Sequence, residues 1–540
     1  MDSDRSLADI SLDGPSGAQC LDGRSSPTLE QSSNRFSGIE ITNSRLDSLE
    51  FLILMLGDAV IEEEGEYVSD HLYRSPHKLL MLLIFQRIIG PISESKWTTM
   101  QDYARAIEEI SITNTSAHRP AIAETTYIRL AQLQGSMALF PRLDRLSIHE
   151  IRSLSKAPIS YSVMPIFLSP SLTSLNITGV GNSSRASAVA SFLGMLGPQS
   201  TLARISLDYF SLSPAILKAI VGCGSLSHLS LTNVGGGINH PSLHALFSIP
   251  SLVSIIFHTI LEYPASESVE TLPGSTRLLE LHLAGPFALI SEWTKYFSGR
   301  CDLQGLVMNI ITTNNTAGKG GKRQSTQYAK ASFAEIDAFI KEAIPPWQHS
   351  LVTFVMTLDY PPQYALPSTF LDAFSGFALL EKLALMNSIL RDINPSIQRN
   401  VSHWPSLRYL HLPWSNVICT VSMESLHHLA DYCPHLVFLR LLIQSPEDDP
   451  FSEIASRGVQ FPNVHTLFVG TWPSAQDQVK DTHIPSVEQL CSIARNLLKI
   501  FPRLQTLDTH QDFSEKSWKN IKALVDLCRD AEKYSKALSN

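Results

Sequence analysis

A short apolar motif recurs along most of this 540-residue chain, and the recurrence limits the possible folds more than any other feature. Each copy has an apolar anchor followed three and five residues later by two more apolar residues, as in LDRLSI at Leu143 and LRYLHL at Leu407. Ten of the twelve spacings between successive anchors fall within 24 to 30 residues. Such a regular period predicts an array of stacked units. The thirteen anchors are Leu143, Leu172, Leu202, Leu226, Leu252, Leu278, Leu303, Leu351, Leu380, Leu407, Leu436, Val464 and Leu504.

Segments of helical length separate the anchors, among them Ser213–Cys223, Met423–Cys433 and Pro485–Ile500. Proline stands two positions before seven of the anchors, and it marks the end of a helix because it cannot continue one. Each unit is therefore predicted to be a short strand, a loop and a helix. A single unit cannot bury its apolar face alone. The predicted fold class is an α/β solenoid, or horseshoe, with parallel strands on the concave face and helices outside.

The chain divides into regions of different composition. Residues 1–45 are rich in Ser, Asp and Gly, and we predict a disordered tail because such a segment cannot offset its ordering entropy. Residues 46–138 are predicted to form a helical N-terminal cap, and residues 139–512 the solenoid. A polar stretch at about 312–330 predicts a flexible insertion within it. Residues 513–540 predict an amphipathic helix that covers the open end of the last unit.

Composition argues against several classes of partner. The net charge is -9 and the basic residues are scattered, so we expect no basic face for nucleic acid. The longest N-terminal apolar runs, Phe51–Leu56 and Leu79–Phe85, are far shorter than the roughly 20 residues of a membrane helix. The seven cysteines form no CxxC pair, which favours a reducing compartment, cytoplasmic or nuclear, over a disulfide framework or a zinc cage.

Motifs of catalysis and nucleotide binding do not fit this sequence. The run Gly318–Arg323 departs from a phosphate-binding loop, which needs glycine where Thr316 stands and Ser or Thr where Arg323 stands. Neither GxSxG nor HExxH occurs, and the 18 histidines are dispersed. We therefore expect a binding protein and not an enzyme, with no catalytic residue, no metal site and no cofactor.

The concave sheet face carries the candidate binding residues. The first, fourth and sixth motif positions face the core, so positions three and five face outward. In the first four units these outward residues are small or polar, as in Ser174 and Asn176, whereas near the C-terminal end they include aromatic rings and arginine, which are typical of interface hot spots. The alternative is that a flanking loop or the C-terminal segment covers them. The candidates, including two tryptophans just beyond the strands, are Tyr409, His411, Trp414, Phe438, Arg440, Phe468 and Trp472.

The repeats resemble leucine-rich repeat proteins of the longer, ribonuclease-inhibitor-like kind, whose units have a similar length. That resemblance implies the solenoid described above. The chain departs from the common LxxLxLxxN pattern at its last position. Asn233 and Asn387 fall one position early and Asn416 falls one late, so the asparagine ladder is poorly kept.

A second resemblance concerns the junction before the repeats. The segment Trp97–Ile112, followed by Phe140–Ile148, resembles the junction in large fungal F-box proteins. In that family an N-terminal F-box docks the adaptor of a cullin-type ubiquitin ligase, and the repeats hold the substrate. An F-box usually opens with Leu-Pro, which does not occur here before Leu272. Either Leu46–Ile61 is a degenerate remnant of the box or the box is absent.

Two functions remain open from the sequence. The first is the substrate-recognition subunit of a cullin-type (SCF) ubiquitin ligase, with a protein substrate on the concave face and the ligase adaptor at the N-terminal region. The second is a leucine-rich repeat interaction protein with no ubiquitin-ligase role. The two differ only in what the N-terminal 100 residues bind.

Overall fold

The fold is built on a parallel β-sheet to which each predicted unit contributes one strand. In the computed structural model the described residues are 45–46, 49, 52–53, 55–56, 60–64, 84–88, 90–113, 121–122, 124–135, 137–149, 161–179, 183–198, 200–208, 212–232, 245–258, 277–299, 301–311, 332–359, 366–387, 390, 392–412, 421–442, 451–470, 486–509 and 515–539. Within them, fifteen strands form one sheet in which every neighbouring pair is parallel.

The strands follow one another across this sheet in sequence order, as expected for a solenoid. Their bounds are β1 Arg45–Leu46, β4 Glu109–Thr113, β6 Arg145–His149, β7 Ser174–Thr178, β8 Arg204–Asp208, β9 His228–Thr232, β10 Ser254–His258, β11 Glu280–Pro286, β12 Gly305–Ile311, β13 Thr353–Asp359, β14 Lys382–Met386, β15 Tyr409–His411, β16 Phe438–Leu442, β17 Thr466–Gly470 and β18 Thr506–Thr509. The remaining strands form a small mixed sheet and are β2 Val60–Glu64, β3 Ile84–Ile88 and β5 Ala121–Ile122.

Helices connect most of the strands, and several begin at a serine cap that the sequence supplies. Ser213, Ser422 and Ser486 each accept a hydrogen bond from a backbone N–H in the first turn of the helix that follows. The α-helices are α1 Glu94–Ala106, α2 Glu124–Gln134, α3 Ser183–Leu196, α4 Pro214–Val221, α5 Phe287–Phe297, α6 Phe333–Ala343, α7 Ile393–Asn400, α8 Met423–Tyr432, α9 Ser452–Ser456, α10 Val487–Ile500 and α11 Glu515–Ser539. Shorter 3₁₀ helices cover Tyr161–Phe167, Pro345–Trp347, Ser368–Phe374 and Val401–His403.

The repeated apolar positions form one continuous core, which confirms the predicted α/β solenoid. All thirteen anchors are at most 1% exposed. The fourth position of every unit is also buried, and so are the inner faces of the helices, as with Ile216 and Ile220 in α4. Each of the thirteen strands begins two residues after its anchor, so positions three and five open every strand on the side of the sheet that faces away from this core. We call that side the open face.

The sheet begins before the first predicted unit, within the region that is predicted to be helical. Helix α1 ends at Ala106, and Glu109–Thr113 is a strand that pairs in parallel with Arg145–His149. The prediction that residues 46–138 are helical is therefore wrong at this strand and at the three strands of the small sheet, β2, β3 and β5. The physical reason is local, since EISIT alternates polar and β-branched residues and its Ile110 is fully buried. The predicted tail (1–45, except Arg45) and the insertion (312–330) lie outside the described residues.

Side-chain hydroxyl groups, and at one place an asparagine amide, join neighbouring repeats. The residue directly before an anchor donates a hydrogen bond to a carbonyl oxygen of the preceding repeat at several places along the array. Ser251 Oγ lies 2.7 Å from the Leu226 carbonyl oxygen, and Thr201 Oγ1 lies 3.0 Å from that of Leu172. Equivalent bonds are made by Ser171, Ser350 and Asn463.

Candidate functional site

Two rows of side chains run across the last five strands on the open face. Strands β14 to β18 pair in register, so residues at the same motif position become lateral neighbours. Position three gives the row Lys382, Tyr409, Phe438, Thr466 and Thr506. Position five gives the row Ala384, His411, Arg440, Phe468 and Asp508.

Three aromatic rings in these rows touch and form what we call the aromatic ladder: Tyr409, Phe438 and Phe468. The Tyr409 and Phe438 rings are stacked, with centroids 3.9 Å apart and planes 7° from parallel. The Phe438 and Phe468 centroids are 5.4 Å apart, with planes tilted by 41°. Parallel strands lie about 4.8 Å apart, which brings paired ring side chains into contact. All three side chains are half-buried, so part of each ring reaches the surface.

Two cations flank the aromatic ladder. The Lys382 Nζ lies 4.8 Å from the Tyr409 ring centroid, and the Arg440 Cζ lies 5.4 Å from that of Phe468. Both distances are within the range of cation–π attraction. Burial lowers the pKa of the Arg440 guanidinium, while Tyr409 and Asp508 act in the opposite direction. Burial raises the pKa of the Tyr409 hydroxyl, and Arg440 opposes that rise. The ladder and its cations thus form one electrostatically coupled patch.

His411 differs from the other candidates because it is only 6% exposed. Its pKa falls from the ordinary 6.5 to about 4, first because of burial and then because of the positive charges of Arg440 and Lys382. The imidazole is therefore neutral at physiological pH. Its neighbours in the position-five row, Ala384 and Val355, are also buried. His411 therefore lies on the outward side of the sheet but offers little surface to a partner.

The structure brings together five of the seven candidates named from the sequence. Tyr409, Phe438, Arg440 and Phe468 make mutual ring or cation–π contacts, and His411 is paired with Arg440 on the neighbouring strand. Trp414 and Trp472 lie outside the described residues. Sequence reasoning missed two charged members of the rows, Lys382 and Asp508, although they stand at outward motif positions of LEKLAL and LQTLDT.

The opposite end of the open face is polar. In strands β6 to β9 the position-five row is Ser147, Asn176, Ser206 and Ser230, all of them half-buried. Arg145 lies beside this row, and its Nη2 is 3.1 Å from a carboxylate oxygen of Glu109. Small hydroxyl and amide side chains bury little apolar area. The aromatic end is therefore the better candidate for tight protein binding.

Within the part of the chain that the structure describes, other kinds of site are not apparent. No group of three or more His, Cys, Asp and Glu side chains there is arranged to hold a metal ion. None of the helices searched in the same part is long and apolar enough to cross a membrane. The glycine- and lysine-rich run Gly318–Arg323 falls outside the described residues. No protein-family model matches this chain, and no curated protein matches it either.

Proposed function

We propose that this chain is a protein-binding scaffold without catalytic activity of its own, and that a protein partner binds the open face over the aromatic ladder. The observation that carries the proposal is the contact between Tyr409, Phe438 and Phe468, three rings that are neither fully buried nor isolated. Half-buried aromatic clusters with arginine beside them have the composition of binding hot spots.

The packing of the ladder favours tight binding because the rings are held in place before a partner arrives. Tyr409 and Phe438 restrain each other by stacking, and their strands are joined by the parallel ladder of backbone hydrogen bonds. Binding to a rigid surface loses less side-chain entropy, typically about 0.5–1.5 kcal/mol for each side chain that need not be immobilised. A partner that covers these rings gains hydrophobic energy at little ordering cost.

The experiment is a comparison of proteins captured by the full-length chain and by the double variant Tyr409→Ala with Arg440→Ala. We expect the double variant to lose at least one partner that the unmodified chain retains, with thermal denaturation showing that the array still folds. The matched control is Tyr432→Ala, which removes an exposed aromatic ring from helix α8 and is expected to retain that partner. Identical sets of captured proteins for the double variant and the unmodified chain would refute the proposal.

A finer proposal is that the partner is a substrate for ubiquitin transfer, with the chain acting as the substrate-recognition subunit of a cullin-type (SCF) ligase. It is supported by the resemblance of the segments Trp97–Ile112 and Phe140–Ile148 to the junction of fungal F-box proteins. The alternative is a leucine-rich repeat interaction protein with no ubiquitin-ligase role. Both proposals include a cytoplasmic or nuclear location, in keeping with the free thiols of the five described cysteines.

Affinity purification of the full-length chain separates these two versions. The receptor version predicts that the cullin adaptor is recovered together with the partner of the open face. Because the adaptor is expected at the N-terminal region, Tyr409→Ala with Arg440→Ala should keep the adaptor and lose the substrate. Recovery of other partners without the adaptor would refute the ligase role and support the interaction protein without one.

A further inference from the structure

We infer that the partner segment bound over the aromatic ladder is acidic, with a carboxylate placed against the Lys382 end and an apolar side chain against the ring edges. This inference rests on the proposed scaffold function and adds the chemistry of the partner to it. It is carried by the positions of Lys382, Arg440 and Asp508 around the rings.

Tyr409 and Phe438 offer their ring edges, and not their ring faces, to a partner. Tyr409 lies between Lys382 on one neighbouring strand and Phe438 on the other, and it contacts both through its ring. Phe438 in turn lies between Tyr409 and the β17 strand that carries Phe468. Ring edges carry the positive part of the aromatic quadrupole. They therefore favour apolar groups, aromatic faces and oxygen acceptors over cations.

The charges of the two rows are unevenly distributed. Three of the ten side chains are charged, namely Lys382, Arg440 and Asp508. Asp508 is on the last strand, and its charge acts on Arg440. Lys382 is four strands away, roughly 19 Å at the usual strand spacing. The positive end of the patch is thus separated from its single carboxylate.

Lys382 has no carboxylate of its own among the described residues. No ion pair joins it to any of them, and its only ring contact there is with Tyr409. The carboxylate nearest to it along the chain, Glu381, pairs instead with Arg408, whose Nη1 lies 3.8 Å from the Glu381 Oε2. An acidic group of the partner is the complement that this end of the patch lacks.

The test uses three matched libraries of synthetic 12-residue peptides that share their apolar positions. Their variable polar positions hold Asp or Glu in the first library, Asn or Gln in the second, and Lys or Arg in the third. The full-length chain is expected to select the acidic library over the neutral one by about tenfold or more, the size of one favourable charge contact. Lys382→Glu should abolish that preference and shift selection toward the basic library.

Two controls make the outcome decisive. Lys218→Glu changes an exposed lysine on helix α4, away from the open face, and should leave the preference unchanged. Thermal denaturation of each variant confirms that the array is folded. If the chain selects neutral or basic peptides and Tyr409→Ala abolishes that selection, the acidic partner is refuted. The scaffold function would then still stand. If Tyr409→Ala leaves peptide binding unchanged in all three libraries, both the acidic partner and the scaffold function of the aromatic ladder are contradicted.

Discussion

The Tyr409 and Phe438 rings stack across two parallel strands with their centroids 3.9 Å apart and their planes 7° from parallel. The rings occupy paired residues at the third position of successive repeats, so the contact follows directly from strand register. It serves both stability and the proposed binding surface, because each ring holds the other upright on a half-exposed sheet face. The two roles are separable by experiment.

The stack is expected to contribute a measurable coupling energy. In a double-mutant cycle of Tyr409→Ala and Phe438→Ala, we predict a coupling of about 0.5–1.5 kcal/mol in the free energy of unfolding, the usual value for an aromatic pair. Chemical denaturation of the full-length chain measures it. The control cycle combines Tyr409→Ala with Tyr432→Ala, on helix α8, and should be additive within about 0.5 kcal/mol. Additivity of the stacked pair would contradict the prediction.

His411 predicts a specific pH dependence of stability. Its pKa is about 4 in the folded chain, against 6.5 when it is unfolded and solvated. The unfolded chain therefore takes up this proton first as the pH falls, and stability decreases between about pH 7 and pH 4 by up to about 1.4 kcal/mol per pH unit. Below pH 4 both states are protonated and the contribution becomes constant.

Substitution isolates this contribution from those of other groups. The variant His411→Asn cannot titrate, so its melting temperature should fall less steeply than that of the unmodified chain between pH 7 and pH 4. His428→Asn, which removes a half-buried histidine from helix α8, is the matched control and should keep the original slope. An unchanged slope in His411→Asn would show that this histidine is not held neutral.

The solenoid could be predicted because its signal is strong and repeated. An anchor such as Leu407 must be buried in every unit, and thirteen copies at a regular spacing leave one fold that buries them all. The members of the aromatic ladder could be predicted from the same repeat, since Tyr409, Phe438 and Phe468 stand at its outward strand positions. In these respects periodicity alone was sufficient.

Features that depend on neighbouring repeats could not be predicted in this way. The burial of His411 depends on the side chains of neighbouring strands. The alternation of residues within one strand gives only the side of the sheet that a side chain is on, and not how exposed it is. The strand Glu109–Thr113 does follow an apolar anchor, the buried Ile107, but this anchor comes directly after the helix Glu94–Ala106, so the alternation looks like a continuation of that helix. The hydroxyl bonds between repeats involve a residue outside the apolar motif.

Those hydroxyl bonds provide a third prediction. Ser251 Oγ lies 2.9 Å from the Gly224 carbonyl oxygen and 2.7 Å from that of Leu226, both in the preceding repeat. Ser251→Ala should lower the free energy of unfolding by about 0.5–1.5 kcal/mol, because the carbonyl loses its partner. Ser248→Ala removes a bond within its own exposed turn and should cost less than about 0.5 kcal/mol. Equal effects of the two substitutions would contradict an inter-repeat role.

The cysteines predict a pattern of thiol reactivity. Burial raises the pKa of Cys433 to about 12 and that of Cys223 and Cys301 to about 11, the last with a further contribution from Asp302. A rise of two units lowers the thiolate fraction roughly a hundredfold, and only the thiolate reacts. Alkylation of the native chain at pH 8, followed by peptide mapping, should modify the half-buried Cys491 and Cys528 before Cys223, Cys301 and Cys433. Early modification of the three buried thiols would mean that the core opens readily.

Two tryptophans provide the last prediction, because each joins a repeat to the one before it through the same contact. Trp404 Nε1 donates to the Phe374 carbonyl oxygen at 2.9 Å, and Trp347 Nε1 donates to that of Cys301 at 3.0 Å. Both side chains are at most 1% exposed. Replacing either by Phe removes the indole N–H donor from a carbonyl oxygen and leaves a small cavity, and the Phe374 carbonyl keeps only its longer bond of 3.4 Å from the Phe377 N–H. We therefore expect each Phe variant to lower the free energy of unfolding by about 1–3 kcal/mol.

The equivalence of the two sites makes this prediction stringent. The tryptophans precede strands that are two positions apart in the sheet, roughly 10 Å, so the effects of Trp347→Phe and Trp404→Phe should add within about 0.5 kcal/mol. Each Ala variant should cost about 3–5 kcal/mol, since the whole ring is lost from the core. Chemical denaturation measures all five variants. Phe variants as stable as the unmodified chain would show that the ring, and not its N–H donor, is what the repeats require.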